Sequence, residues 1–269
     1  MQTILDKIIA TKKFEVAERS ILTPVEKLRE LIAQQTPPRN FFQAISHEPK
    51  GKPVNVIAEI KKASPSAGII RDDFDPVAIA RIYQENGADA LSVLTDEKYF
   101  MGSLDYLKQV KAAVDLPVLR KDFIIDSYQV LEARAAGADA ILLIAECLAT
   151  NEMIDLQILA TELRMTVLIE VHDMENLIRV RDTVIGFPHK SYSLLGINNR
   201  DLRTFKTDLG TTLRMVELVE DPSVLVSESG IHTREHVEKL AAAGVRGVLV
   251  GESLMRSADI GGKMRELFA

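Results

Sequence analysis

The sequence predicts an α/β protein: a single (β/α)8 barrel of the TIM type with an N-terminal helical extension. From residue 54 onward, eight short apolar runs alternate with amphipathic segments of helical length, and one short motif recurs at three of them. Strands that alternate with helices form a parallel sheet joined by right-handed crossovers. The predicted strands, numbered 1 to 8 here, span 54–60, 90–94, 117–121, 140–144, 166–171, 193–197, 223–227 and 247–250.

The recurring motif is a glycine that leads into a strand. It reads Asn-Gly-Ala-Asp-Ala-Leu-Ser-Val-Leu-Thr over 86–95 and Ala-Gly-Ala-Asp-Ala-Ile-Leu-Leu-Ile-Ala over 136–145, with a looser copy over 243–251. Glycine commonly ends a helix, so each copy marks a helix that passes into a strand. Repetition of one such unit favours a barrel. An open, doubly wound sheet is the alternative, but no Gly-x-Gly-x-x-Gly motif follows any predicted strand.

Helical segments precede and separate the strands. Residues 1–47 are expected to form a helical extension packed on a barrel of residues 48–269, the two making one structural domain. Within the extension, Thr23-Pro24-Val25-Glu26 has the pattern of a capping box with proline at the first helical position. Further helices are predicted over 75–86, 103–113, 127–136, 151–163 and 233–243.

Composition limits the possible functions. The 269 residues carry a net charge of −6 without a long Lys/Arg run, which argues against nucleic acid as a partner. Cys147 is the only cysteine, so no internal disulfide can form and a reducing compartment is expected. The first residues lack the pattern of a signal peptide, and no apolar run is long enough for a membrane span. We therefore expect a cytoplasmic protein, a monomer or at most a weak dimer, that does not bind membranes.

Polar side chains end the predicted strands, where barrels carry their active sites. Residues two apart on a strand point the same way, so Glu59 and Lys61 share one face at the end of strand 1. Any one of these residues could be a solvated residue at the barrel rim. Several polar residues at corresponding strand ends together favour an active site. Charged groups that converge on one cavity shift one another's pKa values, as general acids and bases require. The other members of the set are Lys121, Glu170, Asn198 and Glu228 on strands 3, 5, 6 and 7.

The loops after strands 7 and 8 carry a possible phosphate site. They read Glu-Ser-Gly-Ile over 228–231 and Gly-Glu-Ser over 251–253. Many barrels bind phosphate at this position through backbone N–H groups, and glycine lets the backbone approach a ligand closely. Lys61 and Ser64 could supply further donors. Tight turns without a ligand are the alternative.

One apparent zinc motif is rejected. His232-Thr-Arg-Glu235-His236 matches the H-x-x-E-H pattern, but Thr233 fits better as the N-cap of the following helix. His232 then lies outside that helix, and the two histidines do not share a face. No metal site is predicted.

Taken together, these residues resemble the indole-3-glycerol phosphate synthase family, barrel enzymes of tryptophan biosynthesis. The resemblance covers nearly the whole chain and begins with Ile-Ala-Glu-Ile-Lys-Lys-Ala-Ser-Pro-Ser over 57–66. Five more segments follow in the family's order, over 92–103, 119–126, 169–172, 196–202 and 227–231. The resemblance implies a cofactor-free and metal-free lyase acting on a small phosphorylated substrate. This lyase decarboxylates 1-(2-carboxyphenylamino)-1-deoxyribulose 5-phosphate and closes its ring, which gives indole-3-glycerol phosphate, carbon dioxide and water.

The resemblance also implies residue roles. Lys121 matches the general acid on the substrate's carbonyl oxygen, and Glu170 the carboxylate that assists proton removal or dehydration. Lys61 matches a lysine near the substrate's carboxylate and phosphate and is a candidate second acid. Residues that orient the reacting centre are Glu59, Asn198 and Glu228. Phosphate and backbone contacts are implied for Ser64, Ser229, Gly230, Gly251 and Glu252, a cation on loop 6 for Arg200, and an apolar slot for Phe100, Phe123, Leu142 and Leu202.

Two features qualify the resemblance. Ser127 stands where the family pattern has proline, and the loop at 203–206 differs from relatives, although neither touches a proposed catalytic position.

For Lys121, we expect burial to lower the pKa of the ammonium toward working pH. Phe100 and Phe123 could also be packed under loops without contacting a ligand.

Two other functions are weighed. Another cofactor-free barrel enzyme of sugar phosphates, such as phosphoribosylanthranilate isomerase, usually needs a cysteine and an aspartate. Cys147 lies beyond strand 4, away from the charges of strand 1, which counts against that reaction. A non-enzymatic phospho-ligand binder or inactive paralogue would not need the intact set of acids and lysines. The presence of that set therefore counts against this function.

Overall fold

Eight parallel strands close into a barrel in the computed structural model, which describes residues 3–181, 192–201 and 206–269. The strands are β1 Asn55–Ile60, β2 Ala90–Leu94, β3 Val118–Lys121, β4 Ala140–Ile144, β5 Thr166–Val171, β6 Ser193–Asn198, β7 Leu225–Glu228 and β8 Gly247–Val250. Each strand pairs with its neighbour in chain order, and β1 pairs with β8 to close the sheet. The predicted barrel is confirmed, and the open-sheet alternative is wrong.

Five barrel helices fall where amphipathic segments predicted them, within one residue at each end, and the remaining barrel helices were not predicted. The extension contains α1 Ile4–Leu22, α2 Val25–Gln34 and α3 Phe41–Ser46. The barrel helices are α4 Pro76–Glu85, α5 Glu97–Phe100, α6 Leu104–Ala113, α7 Ser127–Ala135, α8 Thr150–Glu162, α9 Met174–Arg181, α10 Gly210–Met215, α11 Arg234–Ala242, α12 Glu252–Met255 and α13 Ile260–Phe268. None of the helices in the described residues is long and apolar enough to cross a membrane.

Two local predictions are wrong. The capping box at Thr23 does not form: Thr23 ends α1 by donating its N–H to Arg19 O, and α2 begins after Pro24 without a side-chain cap. Residues 222–224 form a 3₁₀ turn instead of opening β7, because the Asp221 side chain accepts the N–H of Ser223 and proline fixes the first position of the turn.

The extension wraps the barrel from one end to the other. At the amino ends of the strands, Phe41 and Ile45 of α3 are fully buried and pack on the side chains that fill the barrel interior. Along the side, Leu28 of α2 packs on Tyr128 and Leu131 of α7. The first turns of α1 lie at the opposite end, over the carboxyl ends of the strands. The boundary at residue 48 stays a prediction.

The aspartate of the recurring motif clamps neighbouring strands together. Asp89 accepts the N–H of Val56 at 2.6 Å, and Asp139 accepts the N–H of Val118 at 2.8 Å. Each carboxylate is also paired with a lysine, Lys52 for Asp89 and Lys111 for Asp139. The repeated aspartate therefore stabilises the fold, since it satisfies a backbone donor at the start of an adjacent parallel strand.

Candidate active site

One cavity of about 1200 Å³, counted up to its open mouth, lies at the carboxyl ends of the strands. Of the sixteen residues predicted for the site, fifteen line it, and Leu202 lies outside the described residues. Side chains from different strands converge there because the carboxyl ends of parallel strands meet at one rim. The fifteen are Glu59, Lys61, Ser64, Phe100, Lys121, Phe123, Leu142, Glu170, Asn198, Arg200, Glu228, Ser229, Gly230, Gly251 and Glu252.

The closed end of the cavity holds one ammonium between two carboxylates. Lys121 Nζ lies 2.6 Å from Glu170 Oε2 and 3.3 Å from Glu228 Oε2. The three side chains are only 13%, 3% and 2% exposed, so little water screens these charges. The prediction that the pKa of Lys121 lies below its usual range is wrong. Burial does oppose the charge, but Glu170, Glu228 and Glu59 outweigh it and hold the pKa of Lys121 above its usual range.

The pKa values of Glu170 and Glu228 are shifted in opposite directions. Burial raises the pKa of both, but for Glu170 the charges of Lys121 and His172 outweigh burial and hold the pKa below its usual value. For Glu228, burial raises the pKa well above its usual value; Lys121 opposes this shift and Glu170 adds to it. The two groups are therefore pushed toward opposite protonation states, which is the kind of arrangement that separates base from acid.

Two glycines make room for these acids. Lys61 Nζ lies 2.5 Å from Glu59 Oε1, and a Cβ at Gly251 would stand 2.3 Å from that same oxygen. A Cβ at Gly196 would stand 2.2 Å from Glu228 Oε1. Any side chain at either glycine would displace a carboxylate. The sequence reasoning assigned Gly251 to ligand approach and missed Gly196 altogether.

Arg200 joins three loops at the mouth of the cavity. Its guanidinium donates to Ser66 Oγ and to Glu252 Oε2, both at 2.9 Å, and its backbone N–H donates to Asn198 Oδ1. Ser66 lies in a small hairpin after β1 that pairs residues 63–64 with 68–69. Arg200 thus fixes the loops after β1, β6 and β8 against one another.

The loop after β7 contains two successive residues with a left-handed backbone. Ser229 and Gly230 are both left-handed, with φ of 66° and 77°. The loop then passes into α11, where Thr233 accepts the N–H of His236 as the N-cap. His232 therefore lies outside the helix, as predicted from the apparent zinc motif. Among the described residues, no group of three or more His, Cys, Asp or Glu side chains could hold a metal ion.

An apolar wall faces the charged end. The rings of Phe100 and Phe123 lie 6.0 Å apart between centroids and are tilted by 39°. Leu142 completes this side of the cavity. Sequence reasoning missed the roof above it, which Ile4, Leu5 and Ile8 of α1 supply. Their helical spacing is visible in the sequence, but the end of the barrel that they cover is not.

The cavity sits in a fold shared with several barrel enzymes. The structure of 3-hexulose-6-phosphate synthase from Salmonella typhimurium matches with a TM-score of 0.62 and 12% identity, over 80% of this chain and 96% of that chain. The tryptophan synthase complex from Pyrococcus furiosus matches with a TM-score of 0.56 and 15% identity, over 80% of this chain and 97% of that chain. At these identities the likeness shows the fold alone.

The chain's family follows from sequence comparison. A family model described as indole-3-glycerol phosphate synthase matches residues 5–267. The curated indole-3-glycerol phosphate synthase of Rhodopirellula baltica is 48% identical over 258 residues, which is 96% of both chains. The match decides against the isomerase and the simple phospho-ligand binder. With the model spanning almost the whole chain and a relative this similar, the chain belongs to the indole-3-glycerol phosphate synthase family, the carboxy-lyases that form the indole ring in tryptophan biosynthesis.

Proposed function

We propose that the cavity performs the family's ring closure with Lys121 as the first general acid. The observation that carries this assignment is the buried ammonium of Lys121, held between Glu170 and Glu228 at the closed end of the cavity and beside its apolar wall. A ketone is a weak electrophile until its oxygen receives a proton or a strong hydrogen bond. Lys121 is the donor best placed to supply one.

The first half-reaction forms the new carbon–carbon bond. The ring carbon that bears the carboxylate attacks the ketone carbon, and the ketone oxygen takes a proton from Lys121 to become a hydroxyl. Loss of carbon dioxide then restores the aromatic ring. Donation by Lys121 becomes easier in the complex, because a substrate oxygen replaces one of the carboxylate contacts that raise its pKa in the free site.

The second half-reaction removes water. The hydroxyl leaves with a proton from an acid, and a base takes a proton from the substrate so that the indole double bond forms. Glu170 is the proposed base because it is a carboxylate at the closed end of the cavity, and its lowered pKa keeps it ionised and able to accept a proton. The available acids are Lys61, held by Glu59 on the neighbouring wall, and Glu228, whose raised pKa favours the protonated form.

Binding groups surround this chemistry on two sides. For the anthranilate ring we propose the slot between Phe100, Phe123 and Leu142, since flat apolar surfaces bury an aromatic ring without unpaired polar groups. For the phosphate we propose the rim formed by the loops after β7 and β8, with Ser64, Ser229, Gly230, Gly251 and Glu252. Asn198 and Arg200 connect the two regions. A monomeric state and a cytoplasmic location stay predictions.

The test replaces Lys121. Lys121→Ala should lose several orders of magnitude in turnover, measured by indole fluorescence on the carboxyphenylamino substrate, while the dissociation constant for the product changes little. Lys121→Arg keeps a charge but cannot give up its proton, so it should be almost as inactive. Lys108→Ala, the same change on the exposed face of α6, is the control. Near-normal turnover of Lys121→Ala would refute the acid assignment, and near-normal turnover of Lys121→Arg would show that charge alone suffices.

A further inference from the structure

Opposite charges alternate in a line that begins behind the cavity and ends in it. His172 Nδ1 lies 3.1 Å from Glu146 Oε2, and His172 Nε2 lies 3.2 Å from Glu170 Oε1. The other oxygen of Glu170 contacts Lys121. Glu146 also accepts the backbone N–H of His172 at 3.0 Å, so it holds the histidine by two contacts. The imidazole is only 7% exposed and does not line the cavity, so it cannot reach a ligand there.

During the proposed reaction, Glu170 needs a second positively charged partner. Glu170 is 2% exposed, and in the free site Lys121 neutralises it. When Lys121 turns to the substrate's carbonyl oxygen, Glu170 loses that partner. A buried carboxylate without a partner becomes protonated, because burial disfavours its charged form. A protonated Glu170 could not act as the base of the second half-reaction.

We propose that His172, held by Glu146, is the positioning residue whose charge keeps Glu170 ionised while Lys121 is engaged with the substrate. The inference rests on the proposed role of Glu170. His172 lies two residues after Glu170 in the sequence, just past the end of β5, so both side chains leave the strand on the same side. One oxygen of Glu170 thereby faces the imidazole as an ion pair without hydrogen-bond geometry, and the other contacts Lys121.

The surroundings of His172 support a charged ring near neutral pH. Three charged groups face the imidazole: Glu146 from the turn after β4, Glu170 from β5, which His172 itself follows, and Lys121 from β3. Burial lowers the pKa of His172 and Lys121 does too, but the two carboxylates outweigh them and raise it. The neighbouring thiol of Cys147 has its pKa raised by burial and by the same two acids, so it is neutral and adds no charge.

The direction of the pH effect follows from these charges. Below its raised pKa, His172 is positive and keeps Glu170 ionised; above that pKa the ring is neutral and this help disappears. Without His172, Glu170 in the complex would hold a proton at low pH and become ionised only as the pH rises. The variant and the wild type should therefore differ most at low pH and converge at high pH.

The experiment compares His172→Gln with the wild type from pH 6 to pH 9, using single-turnover rates so that product release does not intervene. At pH 6 the variant should be slower by about 10-fold or more, because an opposite charge at this distance shifts a carboxyl pKa by about 1–3 units. At pH 9 the two rates should agree within about threefold. His47→Gln, at the far end of the barrel, is the matched control and should follow the wild type throughout. A rate ratio that is the same at every pH would overturn the inference, since a purely structural defect has no reason to titrate.

A second variant covers the case in which His172→Gln does not fold. Glu146→Gln keeps the imidazole but removes its anchoring charge, so the pKa of His172 should fall. A smaller rate loss should then appear at intermediate pH, where the wild-type ring is charged and the ring of the variant is neutral. A Glu146→Gln profile identical to the wild type would also overturn the inference. Glu170→Gln separates this failure from a failure of the proposed function. If Glu170→Gln turns over normally, the role of Glu170 is wrong; if it is inactive while the His172 and Glu146 variants are normal, only the counter-ion role is wrong.

Discussion

Replacing Lys12 with methionine should destabilise the protein and loosen the roof of the cavity. Lys12 lies in the middle of α1, yet its side chain is only 1% exposed. Its ammonium lies 2.7 Å from Asp96 Oδ2, 3.0 Å from Asp122 Oδ1 and 2.8 Å from Glu15 Oε2. Two of these acids belong to loops of the barrel, so the lysine fastens the helix to the rim.

The size of the effect follows from what each acid keeps when Lys12 is gone. Glu15 is 18% exposed and can turn to water, and Asp122 keeps Arg120 at 3.1 Å. Asp96 is fully buried, and its Oδ2 has no hydrogen-bond partner besides the ion pair with Lys12 among the described residues. Removing one partner of a buried pair costs about 3–5 kcal/mol, and with one acid orphaned we expect the lower end, about 3 kcal/mol.

Urea unfolding followed by far-UV circular dichroism measures this loss, and the thermal midpoint should fall by about 6–12 °C. The pKa of Lys12 is raised: burial lowers it, but Asp122 and Asp96 outweigh burial. Because the shift is upward, its contribution to stability is lost only as the pH rises above the unfolded value of about 10.4, so it is fully present at pH 7. Turnover should fall as well, because α1 carries the roof residues Ile4, Leu5 and Ile8.

The controls isolate the ion pair. Lys13→Met makes the same chemical change at the next, exposed position and should alter stability by no more than about 0.5 kcal/mol. Adding Asp96→Asn to Lys12→Met removes the orphaned charge and should recover part of the loss. If Lys12→Met unfolds at the wild-type urea concentration, or if Asp96→Asn makes it worse, the buried pair is not what holds α1.

Two further predictions concern a glycine and the recurring aspartate. Gly251→Ala should push Glu59 away from Lys61, because its Cβ would stand 2.3 Å from Glu59 Oε1, and it should lower turnover more than stability; unchanged turnover would contradict this. Asp139→Asn should destabilise the fold by about 2–4 kcal/mol without a specific effect on the Michaelis constant, because the buried side chain would lose Lys111 and could not accept the N–H groups of both Arg39 and Val118 as well. Urea unfolding and steady-state kinetics check both variants.

The sequence was sufficient for the barrel and most of the site because strand ends are a local signal. An apolar run that stops at a charged residue, as at Glu59 or Lys121, reports the end of a buried strand, and barrel geometry brings all such ends together. Asn198 and Glu228 were placed by the same rule, and all four line the cavity. The change from apolar to polar residues near each strand end was therefore the signal that predicted these site residues.

Long-range contacts could not be predicted in this way. The pKa of Lys121 depends on Glu170 and Glu228, which lie on other strands, so a rule based on burial alone gave the wrong sign. Lys12 looks like an ordinary surface lysine on a helix until Asp96 and Asp122 are placed around it. The sequence shows which residues are charged, but the sign of a shift depends on which charges fold against them.

The ion pairs of Lys12 hold α1 over the cavity and also position the loops that carry Phe100 and Phe123. Asp96, which binds Lys12 with one oxygen, uses the other to accept the N–H groups of Tyr99 and Phe100 as the N-cap of α5. Asp122, the other barrel acid at Lys12, accepts the N–H of Phe123 and directly follows Lys121 in the chain. The ion pair that holds α1 therefore also sets the backbone beneath both aromatic walls and beside the proposed acid. A disturbance at Lys12 should consequently reach the slot through the barrel loops as well as through α1, and restoring the helix alone would not restore the site.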